Sequence, residues 1–433
     1  MGRIKTESID LLRENAAELG VKLEYSDDIS VLSLPLTIEK TVIPNRILIQ
    51  PVECADAEPD GAPGELTERR YLRFAEGGAG CIWFEAVALC PELKSNPRQL
   101  VLSHETLGGF QRLISDMKEA AVKQNGKSPA VVLQMSHPGR SCDPVSKPAS
   151  DNKVWEKIRS AKGQLSVSDD EIDKLADTYG EITHLADLAG FDGVEVKACH
   201  MFFISELISV RSRKGRYGRS YENRVRHLKE AISASRSESG GMFLTVRMNF
   251  YDGIPYPDGF GMKEGGGFSP DNTEPLKLIA EIKSEFGVEL INCSSGDPNF
   301  SAFPELAQMN RDPLFSPPAH PIKTGARMHL FASEIKSAIP ETKVVATGFS
   351  HLYHHAPGIG AGIIKRKDAD LIGFGRQALA YPGFARDILF NGKMDPEKVC
   401  VCCGGCGKLI SERKKGGCVV RDTVYKNSKS IKI

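Results

Sequence analysis

Leu371-Ile-Gly-Phe-Gly-Arg376 is a short apolar run that breaks on glycines and ends in a guanidinium. Bulky apolar residues suit a strand covered on both faces. Glycine lets backbone N–H groups approach a ligand closely, and arginine adds a fixed cation. The run 343–346, followed by Gly348-Phe349, has the same form. Further upstream, similar runs fall at 46–50, 81–85, 130–134, 193–197, 244–248 and 290–293. Between them lie amphipathic stretches at 67–76, 108–124, 168–188, 223–236 and 273–286, with 382–391 after the last run. Ser168-Asp-Asp-Glu171 has the form of a capping box, which starts a helix. Eight strand–helix units predict an α/β protein, a (β/α)8 TIM barrel, whose seventh and eighth loops commonly hold phosphate. A doubly wound sheet is the alternative. It lacks its best signal, since no G-x-G-x-x-G opens a helix after an early strand.

Of the 433 residues, 41% are hydrophobic and 26% charged, enough for a large soluble core. The formal net charge of zero gives no basic surface for nucleic acid. Neither a spanning apolar run nor a signal-peptide core is found, so neither membrane nor secretion is expected, and a cytoplasmic setting is. The first 30 or so residues predict a helix-bearing extension. Long loops at 143–163 (polar and helix-poor), 252–272 and 297–327 are expected at the catalytic mouth, building the substrate pocket. The domain expectation is a barrel over 1–394 and a small cysteine-rich segment over 395–433.

Eleven cysteines are present. Cys54, Cys81, Cys90, Cys142, Cys199 and Cys293 are scattered beside apolar runs, as buried free thiols are. Five others crowd the tail. Cys400, Cys403, Cys406 and Cys418 read C-x2-C-x2-C-x11-C, a spacing that suits a [4Fe-4S] cluster. A structural zinc site more often uses two separated pairs, and spare thiols are the other alternative. Cys402 is an anomaly that could compete with Cys400 or Cys403.

Taken in order, the motifs resemble the Old Yellow Enzyme family. They are Pro44-Asn-Arg-Ile-Leu-Ile-Gln-Pro51, Ala75-Glu-Gly-Gly78 with Glu85-Ala86, Leu133-Gln-Met-Ser-His-Pro-Gly-Arg140, Gly190-Phe-Asp-Gly-Val-Glu-Val196, Tyr217-Gly-Arg-Ser-Tyr-Glu-Asn-Arg224, Gly373-Phe-Gly-Arg376 and the cysteines. The closer likeness is to its iron–sulfur branch, with 2,4-dienoyl-CoA reductase, 2-enoate reductase and trimethylamine dehydrogenase. The resemblance implies FMN at the barrel's C-terminal rim. Pro51, Val52 and Ala86 match backbone contacts to the ring edge, and Gln134 matches the amide on the pyrimidine. Arg247 matches the cation beside N1. Gly348 and Phe349 match one phosphate loop, Gly375 and Arg376 the other. Larger relatives continue into FAD- and NAD-binding domains. The sequence stops fifteen residues after Cys418, which implies an external donor: a ferredoxin, a flavodoxin or a separate reductase, with NAD(P)H as a direct donor the other route.

The active-site strand departs from the family pattern. It reads Lys197-Ala-Cys-His200-Met-Phe202, so lysine replaces the first of the usual pair and phenylalanine the usual proton-donating tyrosine. Lys197 and His200 both remain donors for a substrate carbonyl. Pairing of Lys197 with Glu53 is the competing role. Tyr251 and Tyr256 are candidate proton donors, with aromatic packing as their bland alternative. The leading expectation is an ene-reductase for a small-molecule substrate. Oxidation of an amine, with electrons leaving through the cluster, is the second reading, and a non-catalytic electron carrier the third. Oligomeric state is open, a homo-oligomer included.

Overall fold

Every expected strand run is a strand. The strands are β1 Leu36–Ile38, β2 Thr41–Ile43, β3 Ile47–Ile49, β4 Cys81–Ala88, β5 Ala130–Ser136, β6 Gly193–Ala198, β7 Phe243–Asn249, β8 Leu290–Ser294, β9 Lys343–Ala346 and β10 Leu371–Phe374. The structure is a computed structural model that describes residues 8–296 and 321–426. Strands β3 to β10 pair in parallel and close, with β10 bonded to both β9 and β3. The helices Glu65–Glu76, Leu107–Asn125, Asp169–Ala189, Tyr221–Glu238, Thr273–Phe286, Pro321–Ala338 and Ala356–Lys365 alternate with the strands, and Arg376–Ala380 and Phe384–Asn391 follow the last one. This is the (β/α)8 TIM barrel that the alternation predicts.

Local signals explain the element ends. Ser168 and Glu171 make the reciprocal capping box. Gly190 stops that helix with φ 89°, which glycine adopts without a Cβ clash. The apolar termini of the strands form a plug at the barrel's N-terminal end. There Leu48, Trp83, Val132, Phe243, Leu290 and Leu371 pack with Leu36, Ile38 and Ile43 of the antiparallel β1–β2 pair. These two three-residue strands lie outside the strand–helix alternation, so that pattern did not announce them. Closing this end leaves the opposite rim as the mouth.

Two loop expectations need correcting. The stretch 143–163 is not helix-poor: Lys153–Ile158 is helical, capped by the Asn152 side chain and anchored by fully buried Trp155. The helix Pro321–Ala338 begins inside the stretch expected as a loop to residue 327, and residues 297–320 lie outside the described residues. The N-terminal expectation holds, with a helix at Ile9–Glu18. Five of the six scattered cysteines are buried free thiols, and Cys90 is half-exposed.

The tail folds against the barrel. Asp422 accepts from Arg69 Nη1 (2.9 Å), Arg69 Nη2 (3.0 Å) and Arg73 Nη1 (2.6 Å), both arginines lying on Glu65–Glu76. The Gly416 N–H donates to the Cys54 carbonyl at 2.6 Å, and the Cys400 N–H to Gln377 Oε1 at 3.0 Å. Among the described residues, no helix is long and apolar enough to cross a membrane. Asp422→Ala removes the clamp at a cost of about 1–2 kcal/mol, discounted because the arginines are one-third exposed. Tryptic cleavage at Lys414 and Lys415 should then speed up by roughly tenfold, with no change in thermal unfolding of the barrel. Equal rates in the variant and the parent would show that the clamp does not hold the tail.

Candidate active site

Strands buried on both faces should be apolar throughout, and the exceptions mark the site. Gln134, Glu195, Lys197, Arg247 and Asn292 are buried within strands, and Gln50 follows β3. Pairing aligns them: Gln134 lies opposite Glu195, and Lys197, Arg247 and Asn292 lie side by side on β6, β7 and β8. Their polar atoms join. Gln134 Nε2 donates to Glu195 Oε1 (2.6 Å), and Asn292 Nδ2 donates to Glu195 Oε2 (3.0 Å). Asn292 and Gln50 exchange reciprocal amide bonds of 2.9 and 3.0 Å. Gly373 leaves room for this, since a Cβ there would lie 2.5 Å from Gln50 Nε2. Burial raises the Glu195 carboxyl against the opposing pull of Arg247. Arg247 Nε is buried with no hydrogen-bond partner among the described residues.

The structure brings Lys197 and His200 to one end of the barrel. His200 and Met201 have φ of 61° and 58°, an uncommon conformation for non-glycine residues and one that clusters at functional sites. This turn carries His200 Nε2 to 2.8 Å from Ser294 Oγ. Burial, then Arg247, Lys197 and Arg159, hold the imidazole well below its ordinary pKa, so it is neutral. Lys197 Nζ sits 3.5 Å above the centre of the Phe202 ring. The residue that lacks a tyrosine's proton is therefore an aromatic platform for the ammonium. Lys197 also acts on Glu53, whose carboxyl burial raises and Lys197 pulls down; Ser95 Oγ (2.5 Å) and Asn96 Nδ2 (2.6 Å) donate to that carboxylate.

Other expected residues vary in how they sit. Pro51 and Val52 are half-buried just past β3. A bulge between Trp83 and Ala86 turns Glu85 toward Arg70 (2.6 Å), while the Ala86 carbonyl accepts from Gln99 at 2.8 Å. Gly348 has φ 92°. The Phe349 ring packs on His329 and Phe374 at 4.6 and 5.4 Å, so only its backbone is left for a ligand. A Cβ on Gly375 would lie 3.4 Å from Val52, which puts this loop beside the end of β3. Arg376 Nη2 lies 3.3 Å from His351 Nε2, a neighbour that no motif announced. Tyr251, expected as a candidate proton donor, donates its hydroxyl to the Phe268 carbonyl at 2.9 Å and packs on Phe331. That bond fastens the loop after β7. The Tyr256 ring lies under Arg211. His137 and Arg140 serve packing: His137 stacks on Phe203 at 4.2 Å, and Arg140 pairs with buried Glu206 at 2.9 Å.

The tail thiols share a neighbourhood. Burial pushes Cys406 up to about 11, with Arg376 pulling it down and Cys400 and Cys403 pushing it further up. Burial also raises Cys418, again with Cys400 and Cys403 adding to the rise. Backbone N–H groups of Cys402 and Arg421 donate to Cys400 Sγ (3.4 Å) and Cys418 Sγ (3.3 Å). Cys402 Sγ instead faces the Ser350 carbonyl at 3.4 Å. Among the described residues, no group of three or more His, Cys, Asp or Glu side chains is drawn close enough to hold a metal ion.

With this geometry in place, the family follows. Residues 32–287, more than half of the chain, match the NADH:flavin oxidoreductase / NADH oxidase family. The chain belongs to that family and is a flavin-dependent oxidoreductase. It is 28% identical over 363 residues to the NADPH dehydrogenase of Bacillus subtilis (strain 168), covering 82% of this chain and 93% of that protein. Among solved structures it is similar to a 2-naphthoyl-CoA reductase complexed with 2-naphthoyl-CoA, at a TM-score of 0.74 and 18% identity. That likeness covers 92% of this chain, which spans 58% of the reductase's length. Morphinone reductase in complex with tetrahydroNAD is similar at a TM-score of 0.61 and 19% identity, covering 85% and 93% of the two chains. These structural likenesses show the fold.

The residues at the mouth fit FMN. The orphaned Arg247 donor, the buried amides and two loops placed at the ends of β9 and β10 are what a flavin ring and its phosphate need. Since burial and the cations Arg247, Lys197 and Arg159 keep His200 neutral, its imidazole resonances should not move between pH 5 and 8 in NMR. A His200→Gln variant assigns those resonances by their loss. An inflection inside that window would show that the ring is not held neutral by these surroundings.

Proposed function

We propose that the chain is an ene-reductase that reduces an alkene conjugated to a carbonyl, and that its tail relays electrons. When bound, FMN would supply hydride, and a [4Fe-4S] cluster on Cys400, Cys403, Cys406 and Cys418 would supply electrons singly. Residues 1–394 are then the flavin barrel and 395–433 the relay segment. Pro51, Val52, Ala86, Gln134 and Arg247 would hold the flavin ring, and Gly348, Phe349, Gly375 and Arg376 its phosphate.

The observation that carries this reading is the convergence of donors at the mouth. Lys197 and neutral His200 would both donate to the substrate's carbonyl oxygen, where negative charge develops. Phe202 holds the ammonium in place by its ring face. The nearby Glu53 carboxyl interacts electrostatically with Lys197. Phe202 cannot donate a proton and the Tyr251 hydroxyl is engaged, so Tyr256 or water would protonate the α-carbon. Oxidation of a protonated amine is disfavoured, because it would enter among Lys197, Arg159 and Arg247.

Two features support the relay. The neighbouring tail sulfurs carry backbone N–H bonds, and the long naphthoyl-CoA reductase aligns with more of this chain than the shorter morphinone reductase does. Electrons would come from a ferredoxin, a flavodoxin or a separate reductase. NAD(P)H at the flavin is the other donor, in keeping with the relative named NADPH dehydrogenase.

Anaerobic mixing of the dithionite-reduced protein with an enone should restore oxidised-flavin absorbance. Lys197→Met should lower kcat/KM by roughly 10²–10³ with flavin content unchanged, as the loss of an oxyanion donor does. A reduced protein that no activated alkene reoxidises would sink the ene-reductase reading. Anaerobically purified protein should hold about four iron atoms per chain, and zinc in their place would sink the relay.

A further inference from the structure

We propose that Glu195 is a positioning residue that holds down the reduction potential of the bound flavin, acting as the counter-charge to Arg247. The inference rests on FMN occupying the mouth and does not depend on which substrate is reduced.

Glu195 is fully buried in the middle of β6, and neither the fold nor the proposed chemistry at Lys197 and His200 requires a carboxylate there. An isolated buried charge is costly, so such a residue is kept paired and fully hydrogen-bonded. Both oxygens of Glu195 are engaged, one by Gln134 at 2.6 Å and the other by Asn292 at 3.0 Å. The Gln50–Asn292 amide pair fixes Asn292 in turn. The carboxylate therefore cannot swing away. Glu195 lies opposite Thr245 on β7, and Arg247 two residues further along shares that face of the sheet, so its charge opposes the rise that burial gives the Glu195 carboxyl. Arg247 keeps a buried Nε without a partner among the described residues, a donor open to a ligand.

This arrangement does two things. The Gln134 NH2 is committed to Glu195, which leaves its carbonyl oxygen as the acceptor for a flavin N–H. Charge is the second. Two-electron reduction of FMN with uptake of one proton leaves one negative charge on the flavin. Arg247 stabilises that charge and a fixed carboxylate opposes it, across a medium that screens poorly. Without Glu195, the reduced form gains.

The test is the FMN midpoint of the holoenzyme in a dye-referenced reductive titration, for Glu195→Gln and Glu195→Asp. Glu195→Gln keeps the shape and drops the charge, so affinity for reduced over oxidised FMN should rise about tenfold, a midpoint increase of about 30 mV for a two-electron couple. Glu195→Asp keeps the charge and should leave the midpoint near that of the parent. A role in shape alone reverses this pattern, or lowers the affinity of both redox forms without moving the midpoint, and either result overturns the proposal. If Glu195→Gln loses oxidised FMN, uptake of dithionite-reduced FMN decides: recovery supports the proposal and loss of both forms overturns it. A parent protein that takes up no FMN overturns this and the proposed function together. A parent that is inert to alkenes, with the expected midpoint shift, overturns the ene-reductase reading alone.

Discussion

Inside a closed parallel barrel, an inward-pointing polar group has no water to turn to. Every such group must find a partner on a neighbouring strand or on a ligand. That constraint organises this protein. Gln50, Gln134, Glu195 and Asn292 come from four strands or strand ends and satisfy one another across the lumen. Beside them, Arg247 Nε is buried without a hydrogen-bond partner among the described residues. The belt therefore acts as a floor for the site as well as a part of the core. Below it, the β1–β2 pair and the apolar strand starts close the other end.

Above the belt the chemistry depends on charge. Three cations meet around His200, and the carboxylates that the site uses, Glu53 and Glu195, are each tied by hydrogen bonds. A neutral imidazole among cations donates without competing for protons. The Lys197–Phe202 contact shows how one substitution can reassign another. A lysine in place of an imidazole needs support for its long stem, and an aromatic ring without a hydroxyl provides it.

The tail depends on the barrel for its position. Asp422 docks on Arg69 and Arg73, Gly416 on Cys54, and Cys400 on Gln377 directly behind the last glycine loop. The cysteine-rich segment and the glycine loop of β10 are thus joined by one short polar bridge. Cys402, the odd cysteine of the tail, faces the Ser350 carbonyl beside the other glycine loop. The segment is read as a separate unit from its cysteines, but it is held by contacts to the barrel.

The barrel was legible because each strand repeats a local pattern: a continuous apolar run between amphipathic helices, capped by residues such as Ser168 and Gly190. The short β1–β2 pair and the Lys153–Ile158 helix were not, because they stand outside that alternation. At the site, the sequence marked the two glycine loops by their pattern, and its family resemblance marked Lys197, His200, Gln134 and Arg247, since both are read along one dimension. Tertiary structure alone decided that Glu195, Asn292 and Gln50 form one network, that Phe202 carries Lys197, and that Tyr251 fastens a loop. The physical reason is that a hydrogen bond or a field acts across space between residues far apart in the chain, as between Gln50 and Asn292, and leaves no mark on the order of the amino acids.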